Sequence, residues 1–379
     1  MSAKTLTGQF RVDNNAGQFQ LRLEDGVSLD YESEQTIDLK LRVTDNNGLS
    51  SPYQSFTVYI LDVSEDIYGT SGNDVIHGDI GKDRIFAGAG DDIIYAYSGN
   101  DLVYAGEGED AVSAGVGSDT VVGGLGDDVI YGSWGDDHLY GSEGNDILYG
   151  ESGNDTLSGG ADNDTLYGGS GADTISGDAG TDTASYAYSD ARVKVDLLNN
   201  TASEGYAEGD ELIAIENLTG SDYNDLLYGD DNNNVIVGVT GNDNLHGRGG
   251  NDLIIAGEGN DVLTGGSGDD NLIGGVGSDT LSGGTGKDTL TGGSGNDIFL
   301  FGNLTDSTSI GDGVDIITDF EVGVDSINLF YIVNSGGITG FSDLTISNDG
   351  IDTTVSANGT DFEFKLSGVI ALDSSDFVF

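Results

Sequence analysis

Asp74, Asp83, Asp92, Asp101, Asp110, Asp119, Asp128, Asp137, Asp146, Asp155, Asp164, Asp173 and Asp182 recur every nine residues without a miss. Asp225, Asp243, Asp252, Asp261, Asp270, Asp279, Asp288 and Asp297 hold the same spacing, with only Asn234 departing. Carboxylates repeated at a fixed interval are suited to cation binding, because stacked acids repel one another unless a cation lies between them. Ca²⁺ fits that role: it takes ~6–8 oxygen ligands in flexible geometry, including carbonyls exposed by glycine turns, whereas Mg²⁺ demands a tighter octahedron. All of these aspartates are therefore candidate metal ligands, with Ca²⁺ as the expected cofactor.

Other chemistry finds little material. The three histidines, His77, His138 and His246, are scattered along the chain, and no HExxH helix, P-loop or GxSxG elbow is present. Carboxylate pairs could suggest glycoside hydrolysis, but here they all fall in the ligand register. No catalytic residue is expected, and the chain is read as a non-enzyme.

Stepping along each unit, the second residue after every register position is apolar, from Ile76, Ile85 and Ile94 to Leu281, Leu290 and Phe299. The second residue before it is nearly always Gly, as at Gly72, Gly81, Gly90 and Gly144; Asp162, Tyr223 and Asn232 are exceptions. The unit is G-G-x-G-x-D-x-U-x, read as a six-residue glycine turn followed by a three-residue strand whose middle side chain points inward. Two units make one turn of a coil, so positions 18 residues apart stack at roughly 4.8 Å. Asp74 should lie beside Asp92, and Asp83 beside Asp101. Tyr131, Tyr149 and Tyr167 should stack as an outward ladder, read as cross-rung packing.

This unit, shown well by GSEGNDILY at Gly141 to Tyr149, resembles the RTX, or haemolysin-type, calcium-binding nonapeptide repeat. The resemblance implies an all-β fold, a parallel β-roll in two arrays, with about one Ca²⁺ per repeat. It also implies type I secretion, in which an unfolded chain leaves the cell and folds outside. Extracellular calcium modules bind at ~10⁻⁴–10⁻³ M, far above cytosolic free calcium, so the array is expected to stay unfolded inside a cell. Related repeats bind ice through regular Thr ranks; here the third position runs Ser71, Ile80, Ala89, Ser98, Glu107, Val116 and Leu125, which argues against that use.

Composition agrees. The formal net charge is −55, and Gly accounts for 64 of 379 residues against one Pro and no Cys. Such acidity repels phosphate backbones and anionic lipid, so nucleic acid and membrane surfaces are not expected partners. No stretch approaches the ~18 apolar residues of a membrane span, and no disulfide frame is available.

The ends differ from the middle. Residues 1–66 carry alternating strand-like runs, IDLKLRV from Ile37 and SFTVYILDV from Ser55. LDYE (Leu29 to Glu32), VTDNNG (Val43 to Gly48) and LDVSED (Leu61 to Asp66) resemble the second half of a cadherin-type repeat. That resemblance implies interdomain calcium ligands at Asp30, Glu32 and Asp62, then Glu65 and Asp66, in a truncated β-sandwich that begins inside a larger protein. Residues 67–184 form array 1 and 223–300 array 2. The two are out of phase, since Asp182 and Asp225 are 43 apart. Between them, 185–222 reads as an insert of paired strands, VKVDLL and ELIAIENL, that restarts the coil. Residues 301–379 resemble the capping segment of RTX carboxyl-terminal domains, ending in an acid and a short hydrophobic tail like a type I secretion signal. A cap is physically needed because a solenoid end exposes strand edges.

The leading functional expectation is the carboxyl-terminal part of a secreted or cell-surface adhesin, with cell-surface or matrix ligands upstream and the type I secretion machinery as partners. The alternatives are the secretion and folding module of an exoenzyme such as a protease or lipase, or a surface-layer or matrix protein.

Overall fold

A computed structural model describes the backbone of four strands between residues 10 and 59, and residues 66–309, 313–334 and 338–379. The four early strands form two antiparallel hairpins, Phe10–Asn15 with Gln18–Leu23 and Thr36–Leu41 with Gln54–Tyr59. The last two overlap the alternating runs read from the sequence.

From Asp66 onward the chain winds into a parallel β-solenoid. Val129–Trp134, His138–Glu143 and Ile147–Ser152 are consecutive strands separated by three-residue bends, and they fall alternately into two walls. Within a wall the register advances by 18: Val112 faces Ile130, and Leu139 faces Leu157. One wall is a continuous sheet of 16 strands, while the other is divided into sheets of eight and nine.

Most strands have six residues rather than the three anticipated, because each runs on through the first three positions of the next unit. The first position points inward with the apolar residue; Ile130 and Gly132 are both buried. A Cβ on Gly132 would collide with Asp137 and with the Gly150 carbonyl, so glycine there lets the bend fold tightly against the register acid. The second position kinks the strand at positive φ, 130° at Gly124. The inward apolar residues form a single column, with Leu139, Leu148, Leu157 and Leu166 fully buried. That column is the core.

The phase break is resolved by a loop, not by a break in the coil. Glu211–Ile213 pairs with Thr174–Ser176, and Asn217–Thr219 pairs with Thr183–Ser185. Ala184, Leu218 and Ile236 then stack in one uninterrupted file. VKVDLL and ELIAIENL therefore do not pair with each other. Lys194–Asp196 instead pairs antiparallel with Thr201–Ser203 and parallel with Leu226–Tyr228, founding the nine-stranded sheet.

Arg248 fastens this loop to the second array. Its two terminal nitrogens each donate to an Asp196 oxygen at 2.7 Å, and one also reaches the Gly229 carbonyl at 2.9 Å. Partial burial pushes the Asp196 carboxyl up, but bonds from Arg248 and Asn199 overcome it and hold the group at about 2. A depressed carboxylate contributes stability above its unfolded value near 4, and that contribution is lost only as pH falls towards 2. Arg248→Met should cost about 2 kcal/mol locally. Hydrogen exchange should accelerate at 194–203 while 129–152 stays protected; uniform exchange across both segments would refute this role.

At the carboxyl end the coil outlasts the repeat. Asp315–Ile317 and Ser326–Asn328 add parallel rungs, one in each wall. Three antiparallel strands, Leu344–Asn348, Asp352–Ala357 and Glu363–Ser367, then close the 16-stranded sheet. Phe301 and Phe364 stack at 4.7 Å beneath them.

Candidate metal sites

Each register aspartate sits at the end of a bend, immediately before its strand, so the 18-residue register places it directly beside its counterpart on the next rung. Asp74 and Asp92 are neighbours, as are Asp83 and Asp101: the amide of the earlier residue donates to Oδ1 of the later at 2.8 Å in both pairs. The same bond recurs down the coil, for example from Asp128 to Asp146 and from Asp252 to Asp270, each at 2.8 Å. Stacking is thus built from a backbone donor and one carboxylate oxygen.

The other oxygen decides the chemistry. In Asp92, Asp101, Asp110, Asp119, Asp128, Asp137, Asp146, Asp155, Asp164, Asp173 and Asp182, Oδ2 is buried with no hydrogen-bond partner. The same holds for Asp243, Asp252, Asp261, Asp270, Asp279, Asp288 and Asp297. A buried, bare carboxylate oxygen is costly, and a long file of them is tolerable only with a counter-charge or a proton on each. The space around Oδ2 is shaped by glycine: a Cβ on Gly141 would fill the gap bounded by Asp146 Oδ2 and the Gly159 carbonyl, and Gly265 is similarly placed against Asp270 and the Gly283 carbonyl. Carboxylate and carbonyl oxygens around a small cradle are the donor set of a hard divalent cation. Among the described residues no group of three or more His, Cys, Asp or Glu side chains is placed to hold one metal ion.

Burial pushes these carboxyls upward. Asp270 rises to about 8 and Asp155 to about 7, in each case by burial first, with the charges of the stacked neighbours adding to it and the ladder amide pulling back.

Not every candidate lies in this setting. Asp74 Oδ2 accepts from the Thr70 amide at 2.6 Å, and Asp225 Oδ2 from the Ser221 amide at 2.5 Å, so the first rung of each run is closed by its own turn. Asn234 serves as its own donor, giving Nδ2–H to the Glu216 carbonyl at 2.7 Å. Asp30, Glu32, Asp62 and Glu65 lie outside the described residues; Asp66 pairs with Arg84 at 3.1 Å.

Four acids in the ladder lie beyond the two runs read from the sequence, and one of them, Asp315, keeps the nine-residue phase at 18 residues after Asp297. Asp210 and Glu216 accept from the amides of Asp173 and Asp182 at 2.9 Å, and Asp315 and Asp325 from those of Asp288 and Asp297 at 2.9 Å. Their signal was local: each precedes a buried apolar residue by two positions, namely Leu212, Leu218, Ile317 and Ile327.

The tyrosines behave as expected. Tyr131, Tyr149 and Tyr167 stack at 4.6 and 4.5 Å, and with Tyr186, Tyr188 and Tyr206 they wall a cleft of about 440 Å³.

Comparison with known proteins agrees with this geometry. The model of the RTX calcium-binding nonapeptide repeat matches residues 62–94, 77–112, 113–148, 149–184, 214–245, 237–272, 264–299 and 273–307, more than half of the chain. The chain belongs to the RTX calcium-binding nonapeptide repeat family. The RTX repeat is a structural calcium-binding element, not a catalytic one, and Ca²⁺ is the cofactor of this RTX region. Similar solved structures include the AlgE6R3 subunit of the Azotobacter vinelandii mannuronan C5-epimerase, 29% identical over 42% of this chain and 79% of that one, with a TM-score of 0.22. The AlgE6R2 subunit of the same enzyme is 26% identical over 43% and 92%, with a TM-score of 0.26. A hyperactive, Ca²⁺-dependent, β-helical antifreeze protein from an Antarctic bacterium is 18% identical over 69% and 85%, with a TM-score of 0.26. A search of curated proteins found no match. Among the described residues no helix is long and apolar enough to cross a membrane.

Proposed function

We propose that this RTX region is the calcium-folded carboxyl-terminal part of a surface adhesin, exported unfolded by type I secretion and folded outside the cell. The observation that carries the reading is the double run of buried, partnerless Oδ2 atoms, Asp92 to Asp182 and Asp243 to Asp297. These aspartates hold the ions, with glycine carbonyls such as that of Gly159, in the strand Thr156–Ala161, completing each shell. Calcium supplies the positive charge that lets the carboxylates coexist on successive rungs; the chain's own atoms supply register and enclosure. Asp74, Asp83 and Asp225 head the same ladder at the starts of the runs, where amides of their own turns meet one carboxylate oxygen, and Asp30, Glu32 and Asp62 belong to a separate cadherin-like site.

Secretion follows from the same physics. A coil that needs extracellular calcium to neutralise its interior stays unfolded at cytosolic calcium and suits a channel that passes extended chains. Adhesion is the finer part of the reading, supported by the cadherin-like sequence run before the coil. Deleting the region from the producing cell should abolish surface attachment. Unchanged attachment together with loss of a secreted catalytic activity would overturn the adhesin reading in favour of an exoenzyme module.

A further inference from the structure

We propose that Asp315, beyond the last nine-residue unit, binds one further calcium ion and that this ion fastens the carboxyl-terminal antiparallel sheet to the coil. The inference rests on the calcium reading above and extends it to a residue outside the repeat.

The ladder acids are of two kinds. At the ends and at the joint between arrays, the protein itself satisfies the second oxygen. Asp325 Oδ2 accepts from the Glu321 amide at 2.7 Å, Asp210 Oδ2 from the Tyr186 hydroxyl at 3.0 Å, and Asp225 Oδ2 from the Ser221 amide at 2.5 Å. Inside the runs that route is closed. The residue four before Asp146 is Ser142, which lies within a strand paired on both sides, with Gly124 and with Gly160. Its position in the sheet leaves Asp146 Oδ2 bare.

Asp315 belongs with the interior kind although it lies outside the repeat. It is 1% exposed, its Oδ1 accepts from the Asp288 amide at 2.9 Å, and its Oδ2 is buried without a hydrogen-bond partner. Asp288, one rung earlier, has the same bare oxygen. A buried acid of this kind, stacked on another, calls for the same hard divalent cation as the interior rungs.

Its position gives the ion a further task. Asp315–Ile317 pairs with Thr289 and Leu290 on one side and with Phe364 to Leu366 on the other, so Asp315 stands where the last parallel rung of this wall meets the antiparallel sheet. The Asp315 amide donates to Ser307 Oγ at 2.8 Å, and Ser307 Oγ donates to the Glu363 carbonyl at 2.5 Å. The backbone of Asp315 is thereby tied to the strand that closes the sheet.

The test compares Asp315→Asn, which keeps the Oδ1 acceptor but replaces the second oxygen, with Asp325→Asn, whose second oxygen already has an amide. Native mass spectrometry of the whole chain in calcium should count one ion fewer in D315N than in the unsubstituted chain, and no loss in D325N. Hydrogen exchange at 344–367 should accelerate in D315N while 129–182 stays protected. A full ion count in D315N, or an equal loss in D325N, overturns the proposal. Should D315N fail to fold, the unsubstituted chain still decides: exchange at 344–367 that ignores calcium concentration overturns it. If the unsubstituted chain takes up no calcium at all, the broader calcium reading fails instead, and the two failures are distinguishable.

Discussion

Excess EGTA is expected to abolish most of the far-UV strand signal at neutral pH and to expand the chain towards a radius of gyration of roughly 70 Å, the scaling value for an unfolded chain of this length. Millimolar Ca²⁺ should restore both. The reason lies in the two runs from Asp92 to Asp182 and from Asp243 to Asp297, each acid stacked on the next and each with a buried oxygen that nothing in the protein meets. Without a cation, ionised carboxylates repel along the coil axis and are cut off from water, and the apolar column holding Leu139 and Leu148 is thin compensation. Each ion that binds only the folded chain adds stability by mass action, so the transition should be steep in calcium concentration. Mg²⁺ should be a poor substitute because it gives up its waters reluctantly and demands a smaller octahedral site. Circular dichroism with small-angle scattering measures this directly. Equal strand content in EGTA and in calcium would refute it.

Acid should partly replace calcium. In the metal-free coil, burial raises Asp128, Asp155 and Asp243 to about 7 and Asp270 to about 8, with like charges on neighbouring rungs contributing. In the unfolded chain the same groups titrate near 4. The folded state therefore binds more protons between these values. Its stability is greatest below about 4 and is lost progressively as pH rises from there through 7 to 8. In EGTA, lowering the pH from 7.5 to 5 should bring back strand signal that calcium would otherwise be needed to produce. With calcium bound the trend reverses, since protons then compete with the ion for the same oxygens. Sedimentation must accompany the measurement, because the sequence pI of about 4.1 brings the chain close to zero net charge at low pH. Metal-free strand content that stays flat or falls on acidification would contradict the burial of these carboxyls.

The nine-residue spacing of Asp, with an apolar residue always two positions later and the RTX resemblance that this unit carries, predicted a parallel coil, the pairing of Asp74 with Asp92 and of Asp83 with Asp101, and the outward tyrosine stack. These features were legible because a solenoid converts sequence periodicity directly into spatial neighbours: every contact is a fixed chain offset. Strand length was less legible, since the inward glycines at positions such as Gly132 give no apolar signal of their own. Where the offset fails, the sequence is silent about neighbours. Only the tertiary structure placed Asp210 after Asp173 and Asp315 after Asp288, at separations of 37 and 27 residues where every interior rung is offset by 18. It also decided which acids are bare and which are met by Tyr186, Ser221 or Glu321. The physical reason is that hydrogen-bond satisfaction depends on which backbone amides the sheets have already taken, and that is known only once the rungs are stacked.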